Sequence, residues 1–143
     1  MRVLLDTSFL LPSLGIETGP EVYKGLRRLK GRRAEIFYSG FSLLEALWIA
    51  VRLMKRGAFD EGTFRTGLVC IISGQRYTRV EETPEVLMEA LRLYELGHTD
   101  LIDNVLYADA RWFGLKLLTV DEELRRFIVA AGLENVLLAP DEI

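Results

Sequence analysis

The sequence predicts an α/β fold, a three-layer α/β/α sandwich around a mainly parallel central sheet. Short apolar runs alternate along the chain with longer stretches of helical period, the order expected of a parallel sheet covered by helices on both faces. The first of those runs, at residues 3–5, is continuously apolar, as strands buried on both sides are. The length, 143 residues with half of them apolar and 27% charged, suits one domain (residues 1–143) with a core of its own and leaves no room for a second.

The first strand stops at Asp6-Thr7-Ser8, three side chains able to cap a helix or bind a ligand, and a short helix is expected over 9–14. A polar helix follows over 20–30, with Pro20 suited to its first turn and Gly31 to its end. Residues 34–38 read as the second strand. Ser39-Gly40 leads into a long helix over 41–56, closed by Gly57, and Asp60 caps the next, which ends at Ser73-Gly74. Residues 77–80 form a short strand or an extended link. Thr83 and Pro84 open a helix that Gly97 stops, and another begins at Thr99 or Asp100 and reaches about Phe113. A strand at 115–118, a helix at 121–130 and a closing strand at 135–138 complete the series.

Composition narrows the function classes. One cysteine, Cys70, can form neither a disulfide framework nor a four-ligand zinc cluster, and its apolar neighbours mark it as a small core residue in a reducing compartment. The most apolar stretch, 41–54, is broken by Glu45 and Arg52 and falls short of the roughly 18 residues a membrane span needs. The N-terminal apolar run is split by Asp6 and stopped by Pro12, unlike a signal peptide, so a cytoplasmic protein is expected.

Eighteen basic against 21 acidic residues give a net charge of −3, which opposes the usual basic footprint of a nucleic-acid partner. The charges are segregated, however. Lys24, Arg27, Arg28, Lys30, Arg32 and Arg33 follow one another without an acid between them, and Lys55-Arg56 closes a helix. Such a run is either a solvated face or a phosphate track, with Lys24, Arg27, Arg28, Lys55 and Arg56 as candidate nucleic-acid contacts.

Three aspartates sit where this architecture places function, at the carboxyl ends of parallel strands. Asp6 follows the first strand, Asp121 follows Leu117-Leu118-Thr119-Val120, and Asp103 lies in the first turn of the helix that feeds that strand. At about 100° per residue, Asp100, Asp103, Asn104, Tyr107 and Arg111 share one face of this helix, while Leu101, Val105, Leu106, Trp112 and Phe113 take the other. Asp109 falls among the apolar positions and is expected to meet a partner subunit or a basic group. Glu45 is a fourth candidate, on the narrow polar stripe of an otherwise apolar helix, where the bland reading is exposure to water.

Each acid has a plainer role open to it: Asp6, Asp100 and Asp121 can all be helix caps, and His98 a loop residue. Carboxylates that do converge repel one another and persist ionised when a cation neutralises them. All-oxygen ligation favours a hard cation, Mg²⁺ or Mn²⁺, and suits phosphoryl-transfer chemistry.

Taken with Val3-Leu4-Leu5-Asp6-Thr7-Ser8 and Ser42-Leu43-Leu44-Glu45, the segment Asp103-Asn104-Val105-Leu106-Tyr107-Ala108-Asp109-Ala110, continuing through Gly114 and Thr119 to Asp121, resembles the PIN-domain family of metal-dependent nucleases, which includes the VapC-type toxins. The resemblance covers essentially the whole chain. It implies that Asp6, Glu45, Asp103 and Asp121 meet in one pocket, with Asp6, Asp103 and Asp121 on Mg²⁺ or Mn²⁺. Glu45 would act through water, and Thr7, Ser8 and Thr119 would support the carboxylates or touch phosphate. Asp100 is an extra acid beside the third position, and of the two Asp103 is favoured as the ligand.

The implied reaction is in-line hydrolysis of RNA to a 5′-phosphate and a 3′-hydroxyl, with a homodimer and an antitoxin as expected partners. A PIN-like module that binds RNA or protein without useful turnover is the alternative. An aspartyl phosphatase would need a second acid where Ser8 stands, and a phospho-receiver paired acids where the chain has Asp6-Thr7.

Overall fold

The computed structural model describes all residues from Met1 to Ile143. Five strands, β1 (Arg2–Leu5), β2 (Glu35–Tyr38), β3 (Tyr77–Arg79), β4 (Lys116–Leu118) and β5 (Leu137–Leu138), form one sheet in the order β3-β2-β1-β4-β5 with every pair parallel. Between them run α1 (Thr7–Leu10), α2 (Pro20–Gly31), α3 (Gly40–Lys55), α4 (Glu61–Ser73), α5 (Pro84–Glu95), α6 (Leu101–Phe113) and α7 (Glu122–Ala130). The chain therefore builds outward from β1 to β3 on one side, then returns to place β4 and β5 on the other. Topologically, β1 and β4 flank the switch point at which open α/β sheets bind ligands.

Alternation along the strands divides the core into two layers. Val3 and Leu5 pack with residues of α1, α2, α3 and α4, including Phe9, Leu29, Ala46 and Ile71. Leu4 and Leu117 pack with residues of α5, α6 and α7, including Leu93, Leu106 and Ile128. Helices thus cover both faces, as the sequence predicts.

Local chemistry accounts for most boundaries. Asp6, Ser39, Asp60, Thr83, Asp100 and Asp121 each cap the helix that follows, their side-chain oxygens accepting a backbone N–H of its first turn; a cap of this kind is typically worth about 1 kcal/mol. Gly114, at φ +64°, closes α6 in the left-handed conformation and turns the chain into β4. Because Asp6 caps at once, the first helix begins at Thr7 rather than Phe9 and tightens into a 3₁₀ turn over Leu11–Leu14. Gly67 lets α4 lie directly on that turn, since a Cβ there would stand 2.2 Å from the Ser13 carbonyl oxygen.

Helix faces depart from expectation in three places. On α3 it is Ser42, Ala46 and Ala50 that are buried, because small side chains let the helix approach its neighbours closely; the large apolar Leu44, Leu47, Trp48, Val51 and Met54 are exposed. Cys70 is exposed on α4, whose inward face is Phe64, Gly67 and Ile71. Helix α6 lies between α5 and the sheet and is buried all round from Asp103 to Ala110, so Asn104 and Tyr107 are core residues, while Leu101 and Trp112 at its ends are exposed. Phe64 is buried in the core, whereas Phe59 and Phe113 pack at its margin. No helix is long and apolar enough to cross a membrane.

Candidate active site

Register alone brings the first two acids together. Leu5 of β1 pairs with Leu118 of β4, so the next residue on each strand, Asp6 and Thr119, emerges at the same sheet edge. Asp6 Oδ2 accepts a hydrogen bond from the Thr119 hydroxyl at 2.7 Å, and its Oδ1 accepts from Thr7 N–H at 2.6 Å. The Thr119 hydroxyl in turn accepts from Asp121 N–H at 3.0 Å, and Asp121 Oδ1 caps α7 through Leu124 N–H at 3.0 Å. Thr119 therefore fixes two of the candidate ligands at once, each of which is also a cap. Capping and site membership are not alternatives here.

Asp103 closes over this pair from α6. Its backbone N–H donates to Asp100 Oδ1 at 3.1 Å, which seats the helix start, and its carboxyl faces that of Asp121. Burial, the charges of Asp6, Asp100 and Asp121, and this acid–acid contact push the Asp103 carboxyl up to about 9. Burial is also the main push on Asp6, which rises to about 6 with the hydrogen bonds from Thr119 and Thr7 opposing it and the charges of Glu45 and Asp121 adding to it.

Glu45 joins the same constellation from the second turn of α3. It is half-buried rather than open to water, and burial raises its carboxyl; the Thr7 hydroxyl works against this, Asp100 with it, and Arg52 against it. That hydroxyl is itself buried without a hydrogen bond of regular geometry. The acids named from sequence are thus brought to one edge, with Asp100 exposed at its rim. Ser8 is not drawn in: it hydrogen-bonds none of them and sits one residue inside α1.

No three His, Cys, Asp or Glu side chains stand close enough to form a ready-made metal cage. The donor set nonetheless fits a hard divalent cation, since its ligands are all carboxylate oxygens whose mutual repulsion only added positive charge or protons can relieve.

Two side chains that hold Asp103 in place carry little signal in the sequence. Asn104, completely buried, donates to the carbonyl oxygens of His98 at 2.8 Å and Ala90 at 3.3 Å, and its Oδ1 meets His98 Nδ1 at 2.8 Å. This clamp pins the first turn of α6 to α5 and the loop between them. His98 is a loop residue as expected, but a buried one. An Asn beside the key Asp and a lone His after a helix-stopping Gly are the only hints.

The basic run divides. Lys24 and Arg28 both pair with Asp141, Arg28 at 3.6 Å, and Arg28 also donates to the Pro140 carbonyl oxygen at 2.8 Å. Arg27, Lys55 and Arg56 are exposed. Lys55 lies ten residues beyond Glu45 on α3, about 15 Å along the helix and away from the acidic edge.

Comparison with known proteins agrees with this fold. The PIN domain model matches residues 3–129. The sarcin-ricin loop-cleaving toxin VapC20 of Mycobacterium tuberculosis superposes with a TM-score of 0.63 at 18% identity, covering 92% of this chain and 96% of its own. VapBC-1 of nontypeable Haemophilus influenzae gives 0.64 at 14% identity, and a toxin-antitoxin complex from Klebsiella pneumoniae 0.61 at 18%, each covering 99% of both chains. No curated protein matches the sequence.

Proposed function

This chain belongs to the PIN-domain family, and from that premise we propose that it is a metal-dependent endoribonuclease acting as the toxin of a toxin–antitoxin pair. The observation that carries the reading is the convergence of Asp6, Asp103 and Asp121 at the β1–β4 switch point, with Glu45 beside them. Asp6, Asp103 and Asp121 would hold Mg²⁺ or Mn²⁺, which supplies positive charge for the phosphodiester oxygens and a water of lowered pKa. The Thr119 hydroxyl holds the Asp6 carboxylate and the Asp121 backbone N–H, and the Thr7 backbone N–H holds the Asp6 carboxylate as well. Glu45, with its raised carboxyl, is suited to orient the attacking water and take its proton.

Partners follow from the surface. Helix α3 exposes Leu44, Leu47, Trp48, Val51 and Met54, and its Phe41 lines an apolar groove with Leu87, Leu91 and Leu101 of α5 and α6; exposed apolar surface of this kind marks an interface. We assign it to a homodimer. An antitoxin would cover the acidic edge, where an Arg could pair with the carboxylates; toxin and antitoxin would meet in the cytoplasm.

Purified protein with Mn²⁺ should cleave RNA, and Asp6→Asn or Asp103→Asn should lose both the cleavage and the heat of Mn²⁺ binding in calorimetry. Cleavage surviving both substitutions would refute the assignment. Metal binding that ignores them would leave only a PIN-like scaffold.

A further inference from the structure

A second pair of acids lies outside this site. Asp109 sits on α6 six residues after Asp103, completely buried, and neither of its carboxylate oxygens has a hydrogen-bond donor. It meets no basic group, contrary to what its place among apolar positions suggests. An ionised carboxylate in such a setting is among the costliest groups a fold can hold, and normally it neutralises instead.

The group it does meet is another acid. The Glu82 carboxyl, from the segment between β3 and α5, lies within hydrogen-bond reach and bears the charge that acts on Asp109. Glu82 Oε1 accepts from the Ser39 hydroxyl at 2.5 Å. Ser39 is completely buried, and its oxygen accepts from Phe41 N–H at 3.1 Å as the N-cap of α3. Neither acid is ion-paired: the Arg79 guanidinium at the end of β3 lies against Gly40, 2.6 Å from where a Cβ would stand, without a salt bridge to either, and Glu89 of α5 is held by Arg111 at 2.6 Å. Two carboxyls in contact, neither of them ion-paired to a cation, are compatible when one of them keeps its proton.

We propose that Asp109 and Glu82 share a single proton, and that the resulting chain positions the start of α3, and with it Glu45, against α6 and Asp103. In that chain the Asp109 O–H donates to the Glu82 carboxylate, Glu82 accepts from the Ser39 O–H, and Ser39 accepts from Phe41 N–H. Three segments far apart in sequence are joined through one proton. The two acids are positioning residues, since neither reaches the acidic edge where the proposed ligands stand.

Burial first, and the Glu82 charge and hydrogen bond second, push the Asp109 carboxyl up to about 8. The folded protein therefore keeps this proton at neutral pH while the unfolded chain gives it up near the ordinary value of about 3.9. The stability it confers is complete below that value, is drawn down as pH rises, and is exhausted once the folded protein releases the proton above about 8.

Urea unfolding of the whole chain from pH 5 to pH 9 tests the first half. Between about pH 5 and pH 7 the unfolding equilibrium constant of the wild type should climb with pH more steeply than that of Asp109→Asn, by a factor approaching ten per unit, the linkage of one proton. Asp109→Leu should lose the same slope, so the result does not depend on one variant folding. Amide exchange at Phe41 tests the second half. At pH 6 Asp109→Asn, whose amide can still donate to Glu82, should match the wild type, and Asp109→Leu should exchange faster. A wild-type slope in both variants would overturn the shared proton. So would a stabilisation by Na⁺ or Mg²⁺ that Asp109→Asn abolishes, which would assign the pair to a cation. Equal Phe41 exchange in all three proteins would sever the link to α3.

Discussion

Helix α6 carries two buried aspartates less than two turns apart, both with carboxyls pushed upward, and their surroundings suit them to opposite tasks. Asp103 faces three further acids, lies at a sheet edge that opens to solvent, and stands beside the Asp6 carboxylate, which Thr119 and Thr7 anchor. Asp109 faces one acid, has no anchoring donor and has no access to water. One proton can reconcile two carboxyls. It cannot reconcile four, and there a divalent cation with a hydration shell to complete its coordination is the fitting neutraliser. What separates a metal site from a structural acid pair is thus the number of converging carboxylates and their access to water, not the shifted carboxyl that both possess.

The sharpest way to break this comparison is to neutralise each acid in turn. Asp103→Asn should reduce RNA cleavage by more than about 100-fold, since changes to groups that merely support ligands already cost roughly 10–100-fold. Metal-free, the same variant should be more stable than wild type at pH 8, because burial of a carboxyl raised to about 9 opposes folding over the whole range above its ordinary value. Activity lost with stability gained, read by cleavage assay and thermal melting, is the signature of a site whose repulsion is kept for function. If Asp103→Asn were destabilising, the repulsion inferred at this edge would be wrong.

Metal should separate the two acids next. At Mn²⁺ near 100 times its dissociation constant the wild type should gain about 2.7 kcal/mol, several degrees in melting temperature for a domain of this size. Asp109→Asn should keep this gain and Asp103→Asn should lose it. The gain should grow from pH 6 to pH 8, as protons compete less for the acidic edge. Thr119→Val comes third in size: with the hydroxyl gone, Asp6 and Asp121 lose their common tether, and a fall of about 10–100-fold in metal affinity is expected in calorimetry.

How much of this was legible beforehand depended on whether the signal was local. Caps are local, so Asp60, Thr83, Asp100 and Asp121 announce their helices from sequence, and the strand-end positions of Asp6 and Asp121 follow from the same reading. Burial is not local when a helix is apolar on most sides. On α3 the periodicity cannot say which apolar face turns inward, and Ala46 and Ala50 win because the helix needs close approach more than it needs bulk there. The same ambiguity hid the exposure of Cys70 and Trp112. Asp109 was legible as an anomaly, but Glu82 and Ser39 are remote in sequence, and only the packing of α6 on α5 and the sheet brings them together.

A third kind of acid completes the comparison, and it carries the smallest expected effect. Asp141 is fully exposed, and hydrogen bonding and charge from Lys24, with Arg28 behind it, hold its carboxyl below the usual range. The shift is opposite in sign to those inside the fold, so this pairing is present at neutral pH and is lost only as pH falls through the lowered value. In water such a pair adds little to stability, and Asp141→Asn should leave the melting temperature nearly unchanged. What it should alter is the surface available to a polyanion. With Asp141 neutral, Lys24 and Arg28 are free to meet phosphates, and RNA affinity should rise with a salt dependence steeper by about one to two in log–log slope. Reversing Arg27 and Arg28 to Glu should do the opposite while leaving the Mn²⁺ heat intact. If neither change moves RNA affinity, the basic face of α2 is solvated surface, and RNA must be held at the acidic edge through its metals alone.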